Sequence, residues 1–546
     1  MSTPHLLLGP ALRHVGESDA TVWVETDRPC TVEVLGCTEH TWTVAGHHYA
    51  LVTVQGLGPD SSTRYDVRLD GERVWPEADD PRPAPRIRTL PASGPIRVTF
   101  GSCRYAKSAA VQDDSHFDPD ALMVLARGLA AQDEAQWPHA MLMLGDQVYA
   151  DETTEATRRR IAARRDITQG AKEQVADFEE YTWLYAESWT DPDVRWLMSV
   201  IPSSMIFDDH DVIDDWNTSR SWRQDIRRAD WWSERIIGAL SSYWIYQHLG
   251  NLAPADLAAN ELYQRVRTLD GDAEPMLREF AAHADREADG AKGTRWSYRR
   301  DLGPVRLLMI DSRCGRLLDD GRSMISEDEF NWISAQADGD YDHLLIGTSL
   351  PWLLARALHD LESWNEVLAD GVRGKLVARW SEKLRRAADL EHWAAFGRSF
   401  RALGRLIAEV GRGERGSRAP ATVCVLSGDV HHAYVARAYF PQPVQSEVYQ
   451  LTCSPLHNFV PPAMRVTFRV AWSRVAERFT RTLLGVVVRV PDSGLHWDRE
   501  AGPYFGNELM TFAAAGRLAT VELSKTHSGE QDPTLHVVQR IALSSG

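Results

Sequence analysis

Several short apolar runs in this 546-residue chain end on residues that could do chemistry. After Phe100 comes GSCRY, after Leu144 GDQVYADE, after Phe207 DDHDVIDDWN, after Ile310 DSRCGR, after Thr348 SLPWLL and after Leu426 SGDVHH. Cys103, Asp146, Tyr149, Asp208, Asp209, His210, Asp429, His431 and His432 thereby come to what reads as one edge of a layered α/β fold, where ligands collect at strand ends. One aspartate after a strand is an ordinary turn or cap residue, but capping does not account for the whole set. A thiolate, a phenol and imidazoles stand here beside carboxylates. Iron tolerates all of these, whereas magnesium and calcium prefer oxygen, so a site for two unlike metals is chemically reasonable, with Asp146 able to bridge. Paired metals suit phosphoester cleavage: they lower the pKa of bound water, polarise the phosphoryl group and neutralise transition-state charge.

The elements that must position these residues are short and almost wholly apolar, as buried strands are. They are IRVTF (96–100), HAMLML (139–144), SMIF (204–207), VRLLMI (305–310), HLLIGT (343–348) and ATVCVL (421–426), with EVYQLTC, LATVELS and LHVVQRIAL further on. Helix-rich insertions at about 155–293 and 355–417 separate them. In the first, SRSWRQDIRRADWWSERIIGALSSYWIYQHLG has its tryptophans at helical spacing and reads as an amphipathic helix packed inward. Near the C-terminus, RVTFRVAWSRVAERFTRTLLGVVVRV is basic and amphipathic; a packed helix is favoured over one lying on a membrane.

Residues 1–90 have a different rhythm, alternating strands between Gly, Pro and Asp turns, which predicts an all-β sandwich. Tyr65, entering a strand after a turn, resembles the tyrosine corner of immunoglobulin and fibronectin III-like domains. The proline-rich connection at 77–95 leads into a catalytic domain expected at 95–546.

Bulk composition excludes several classes. A chain that is 43% hydrophobic and 25% charged is a globular one, with no apolar run long enough to span a membrane. Its net charge of −17 makes nucleic acid an unlikely partner. Six scattered cysteines do not describe a disulfide framework. MSTPHLLLGPALRHVGE holds neither a signal peptide nor a twin-arginine motif, so the chain reads as cytoplasmic. The oligomeric state is not legible.

The ordered set FGSC, LGDQVYADE, FDDHDV and SGDVHH, spanning Phe100 to His432, resembles the PhoD-like alkaline phosphatases of the calcineurin-like metallophosphoesterase superfamily. IDSRCGRLL and SEDEFNWI resemble further segments of that family. The resemblance implies a core of two packed mixed β-sheets flanked by helices, behind an N-terminal sandwich. It also implies Fe(3+) with Ca(2+), with Mn(2+), Mg(2+) or Zn(2+) as alternatives. Cys103, Asp146, Tyr149 and His431 would hold the iron. Asp146, Asp209 and Asp429 would hold the second metal, Asp208 and Asn217 being weaker candidates. His210 and Asp146 would be catalytic, His210 as phosphate-binding group or proton donor. Arg104, Arg313 and His432 are further substrate-binding candidates, although a salt bridge to a ligand carboxylate competes for each arginine and a supporting role for His432. The family has glutamate where Asp211 stands, and its members are often exported.

The expected activity is hydrolysis of small phosphate esters, monoesters or diesters, by metal-bound water. The alternative is a non-catalytic, metal-stabilised binding or scaffold protein, in which chelation would cost stability with no activity to lose.

Overall fold

The computed structural model describes residues 3–106, 117–319, 321–527 and 532–544. Two mixed sheets form the α/β part. In the first, Ser203–Ile206, Ala140–Leu144 and Ile96–Gly101 run parallel, and Glu508–Ala515, Leu518–Lys525 and His536–Ser544 extend it antiparallel. In the second, Val305–Met309, His343–Gly347, Thr422–Ser427 and Glu447–Thr452 are parallel. Tyr298–Leu302 flanks them on one side, and Ala433–Tyr439 followed by His496–Tyr504 on the other.

Side-chain alternation along each strand explains why these runs are apolar throughout. Cys424 and Leu426 face the first sheet's Val98, Phe100, Leu142 and Leu144 in one shared core. Val423 and Val425 face the other way, toward Ile333, Phe400 and Ile407 of the covering helices. Both faces are buried, so Val423 to Leu426 form an unbroken apolar run.

Residues 3–90 are all-β, with two four-stranded antiparallel sheets and a short pair, Ser62–Arg64 with Arg86–Arg88. Their own core includes Val22, Val32, Val52, Val67 and Trp75. The outward side of one sheet continues into the main core: Trp23 meets Trp189 at 5.9 Å and Tyr246 at 5.3 Å between ring centroids. Fully buried Arg13 donates to the carbonyls of Tyr246 and Gln247, both at 2.7 Å, and of Ser203 at 3.2 Å.

Two expectations need correction. The Tyr65 hydroxyl donates to the Ser199 carbonyl at 2.6 Å, so it ties the sandwich to the helical layer and does not close a corner inside it. The basic C-terminal stretch is two helices, Pro462–Ala471 and Arg474–Gly485, and only Ala471 among their side chains is buried. By contrast Trp222, Trp232 and Trp244 of the first insertion do pack inward. Among the described residues no helix is long and apolar enough to cross a membrane.

Candidate metal centre

The parallel strands of both sheets release their loops toward one cleft of about 430 Å³, lined by Asp146, Asp209, His210, Asp429 and His431 among others. Each loop turns sharply as it leaves its strand. Cys103, Asp146, Asn217, Asp429 and His431 all take left-handed backbone conformations, with φ of 54°, 50°, 59°, 67° and 49°. Side chains disfavour that region, and strain of this kind persists where surrounding structure over-determines it, typically at sites. Cross-loop bonds supply the constraint. Cys103 N–H donates to Gly145 O at 3.2 Å, Arg104 N–H to Asp146 O at 3.1 Å, and Asp429 N–H to Ser102 Oγ at 3.2 Å. Gly428 passes so close to Ser102 that a Cβ there would lie 1.9 Å from Oγ.

Two sets of ligand atoms converge to within 4.8 Å of one another: Asp146, Asp209 and His210; and Asp208, Asp209 and Asp429. Buried oxygens within this constellation lack partners, namely Asp146 Oδ1, Asp208 Oδ2 and Asn217 Oδ1. An orphaned buried acceptor is costly, and cations held by these carboxylates would relieve those of Asp146 and Asp208. Electrostatics agree. Burial, then the Cys103 and Asp208 charges, push the Asp146 carboxyl well above its ordinary range. Burial and Asp429 push the Cys103 thiol up to about 12. Burial, with His210 nearby, brings His431 down to about 4, leaving it the neutral imidazole that ligation needs. The residues present therefore fit a metal centre.

Tyr149 is buried, its hydroxyl receiving Asn458 Nδ2 at 2.9 Å, and its ring lies 4.7 Å from that of His210. His210 Nδ1 is held by Asp151 at 3.0 Å, and Asp151 in turn accepts from Asp214 N–H at 2.7 Å. Burial opposes the imidazolium, but Asp151 together with Asp209 and Asp146 outweighs it and raises the His210 pKa well above its usual value. Asp211 is buried and accepts from the amides of Val148 and Asp208, so it fixes the loop.

Both arginines are engaged by carboxylates, as the salt-bridge alternative has it. Arg104 donates Nε to Asp120 at 2.9 Å and Nη1 to Ser188 O at 2.8 Å, and is 3% exposed. Arg313 is fully buried, with Asp208 on its Nε, Glu391 at 2.6 Å, Asp209 at 3.3 Å and Asp429 at 3.5 Å. It is the cation that holds these carboxylates together, the salt-bridge alternative in its fullest form. His432 lines the cleft, its Nδ1 meeting Val430 O at 2.7 Å and its ring stacked on Phe468 at 4.4 Å.

Sequence reasoning overlooked three groups. Asp151 stands inside the quoted GDQVYADE but carries no strand-end signal. His392 bridges Glu362 at 2.7 Å and Asp429 at 2.9 Å from within a helical insertion. Asn458 arrives from the loop after Glu447–Thr452.

A family model described as PhoD-like phosphatase matches residues 115–476, and one described as a domain of unknown function, DUF7800, matches residues 3–87. The first starts beyond Cys103 but spans every other candidate ligand. A solved structure of PhoD superposes with a TM-score of 0.59 at 11% identity, covering 100% of this chain and 91% of that one, a likeness of fold. The structure of purple acid phosphatase PPD1 from yellow lupin (Lupinus luteus) seeds aligns with a TM-score of 0.47 at 12% identity, over 99% and 74% of the chains. No curated protein matches.

Proposed function

Because this chain belongs to the PhoD-like phosphatase family, we propose that it hydrolyses phosphate esters in the cleft bordered by Asp146, Asp209, His210 and Asp429. The observation that carries the reading is the trio of buried, unpartnered oxygens on Asp146, Asp208 and Asn217, set among side chains that mix sulfur, nitrogen and oxygen donors. Cys103, Asp146, Tyr149 and His431 would hold one ion. Asp146, Asp209 and Asp429 would hold the other, with Asp208 and Asn217 beside them. The donor types suit iron at the first position and a harder cation such as calcium at the second. Bound metals would polarise the phosphoryl group and acidify the attacking water.

The chain's own residues do the rest. Asp151 fixes the His210 ring through Nδ1, which leaves Nε2 to deliver a proton to the departing alkoxide. Arg313 keeps Asp208, Asp209 and Asp429 from repelling one another apart while remaining too buried to reach an ester. Leu354, Leu358, Leu361 and Phe468 line the same cleft, so its wall favours an organic alcohol as leaving group.

The test is turnover of p-nitrophenyl phosphate and bis(p-nitrophenyl) phosphate by the full chain, before and after chelation and again after adding back Fe with Ca, or Mn. Turnover that chelation abolishes and metal restores supports the proposal. Absence of turnover with either ester under every metal defeats it. The ratio of the two rates assigns monoester or diester preference.

A further inference from the structure

The helices beside the cleft are put together inside out. Among the described residues, thirteen of the twenty large hydrophobic side chains that stand exposed fall within residues 372–384 or 459–487. They follow helical spacing. On Arg474–Gly485, Val475, Phe479 and Leu483 are 79%, 67% and 57% exposed. On Lys375–Ala387, Leu376 and Trp380 are 74% and 72% exposed, with Leu384 next in the stripe.

Polar contacts seat both helices on Arg356–Ala369, which lies between them. Glu477 pairs with Arg356 at 3.3 Å and Arg481 with Asp360 at 3.4 Å, while Trp364 Nε1 donates to Leu484 O at 3.0 Å. On the other side Asn365 Nδ2 donates to Ser381 O at 2.8 Å, and Ser381 Oγ to Asn365 O at 3.0 Å. The apolar stripes are thus left for solvent, the reverse of an ordinary surface helix.

Charge says what covers them. In a chain of net charge −17, residues 462–489 carry six arginines against one glutamate, and Lys375–Ala387 carries five cations against one glutamate. Of those five, Arg385 is buried, Arg386 pairs with Asp225, and Lys375, Arg379 and Lys383 stand exposed. Each glutamate is already engaged, Glu477 by Arg356 and Glu382 by Ser221 and Arg385. Exposed aliphatic and aromatic side chains interleaved with arginine and lysine make the composition of a helix that lies in the headgroup region of an anionic bilayer. A second copy of this face would bring like charges together. We propose that these helices dock the protein peripherally on anionic lipid, with the cleft mouth alongside, since Met464 and Phe468 of Pro462–Ala471 line the cleft itself.

The test is co-sedimentation of the full chain with vesicles of phosphatidylcholine alone or of equimolar phosphatidylcholine and phosphatidylglycerol, at low and high salt. Binding to the anionic vesicles, weakened by salt, is expected. The double variants Val475→Ser with Phe479→Ser, and Arg474→Glu with Arg478→Glu, should each weaken it roughly tenfold or more. Both change exposed side chains, and p-nitrophenyl phosphate turnover with circular dichroism reports whether each remains folded. Equal binding to both vesicle types, or none to either, overturns the proposal. So does concentration-dependent self-association in light scattering that Val475→Ser with Phe479→Ser abolishes without vesicles having bound.

Discussion

Replacing Gly428 by alanine should disable the centre without touching any candidate ligand. A Cβ at this position would sit 1.9 Å from Ser102 Oγ and 2.2 Å from Ser102 Cβ. Ordinary contact begins near 3.4 Å, so clearing Ser102 Cβ would part the two loops by about 1.2 Å. Rotating the serine relieves only the Oγ contact, because Cβ is fixed to the backbone. The neighbours that would be carried along are Cys103 on one loop and Asp429 on the other, the latter tied to Ser102 Oγ at 3.2 Å. Overpacking on this scale costs roughly 1–3 kcal/mol of stability, and a misplacement of about 1 Å at a reacting centre costs roughly 100-fold in rate. The assay is kcat and metal content by elemental analysis, with the melting temperature as control. Ser102→Gly in the same chain removes both close atoms and leaves Leu144 O, at 3.2 Å, as the next nearest, so the double variant should recover part of the lost metal and rate. Full activity and metal in Gly428→Ala, or no recovery in the double variant, would refute the close-approach reasoning.

Asp151→Asn should lower kcat by roughly 10- to 100-fold with little change in KM, because it frees the His210 ring while leaving every candidate ligand in place; an unchanged kcat would remove His210 from proton delivery. Tyr65→Phe should cost about 1 kcal/mol in denaturant unfolding, by deleting the buried bond to Ser199 O, and leave turnover intact. His47 lies between Glu25 at 3.0 Å and Glu179 at 2.9 Å. Burial opposes its charge, but both carboxylates outweigh that and raise its pKa to about 9. Its contribution is therefore complete below the unfolded value of about 6.5 and lost as pH rises through about 9. Unfolding of the parent and His47→Gln should differ by on the order of 1 kcal/mol, after allowance for solvent screening, at pH 6 and converge near pH 10; a constant gap would contradict the assignment.

The strands were legible because burial on both faces forces an apolar run, and a run ending in Gly-Asp marks where the chain must turn. SGDVHH shows the reach of that logic: Asp429 and His431 share the site, and the neighbouring His432 stacks on Phe468. His392 was not legible. It sits in an irregular segment after Lys375–Ala387 with no local pattern, and only the tertiary fold brings it to Asp429. Arg313 was half legible, since its position after a strand signals the site but its type does not say whether it faces ester or carboxylate. The basic helices failed for a general reason. Periodicity shows that a helix has two unlike faces and is silent on which one meets the protein; here Glu477 and Arg481 do.

The central claim is that the buried donors around Asp146 bind metal in order to cleave phosphate esters. Elemental analysis paired with p-nitrophenyl phosphate turnover on one preparation, titrated stepwise with chelator, tests it most directly. The prediction is two ions per chain, activity falling in step with their removal, and Asp146→Asn losing both. Full turnover after complete removal of metal, or firmly bound metal with no turnover of either ester, would contradict it.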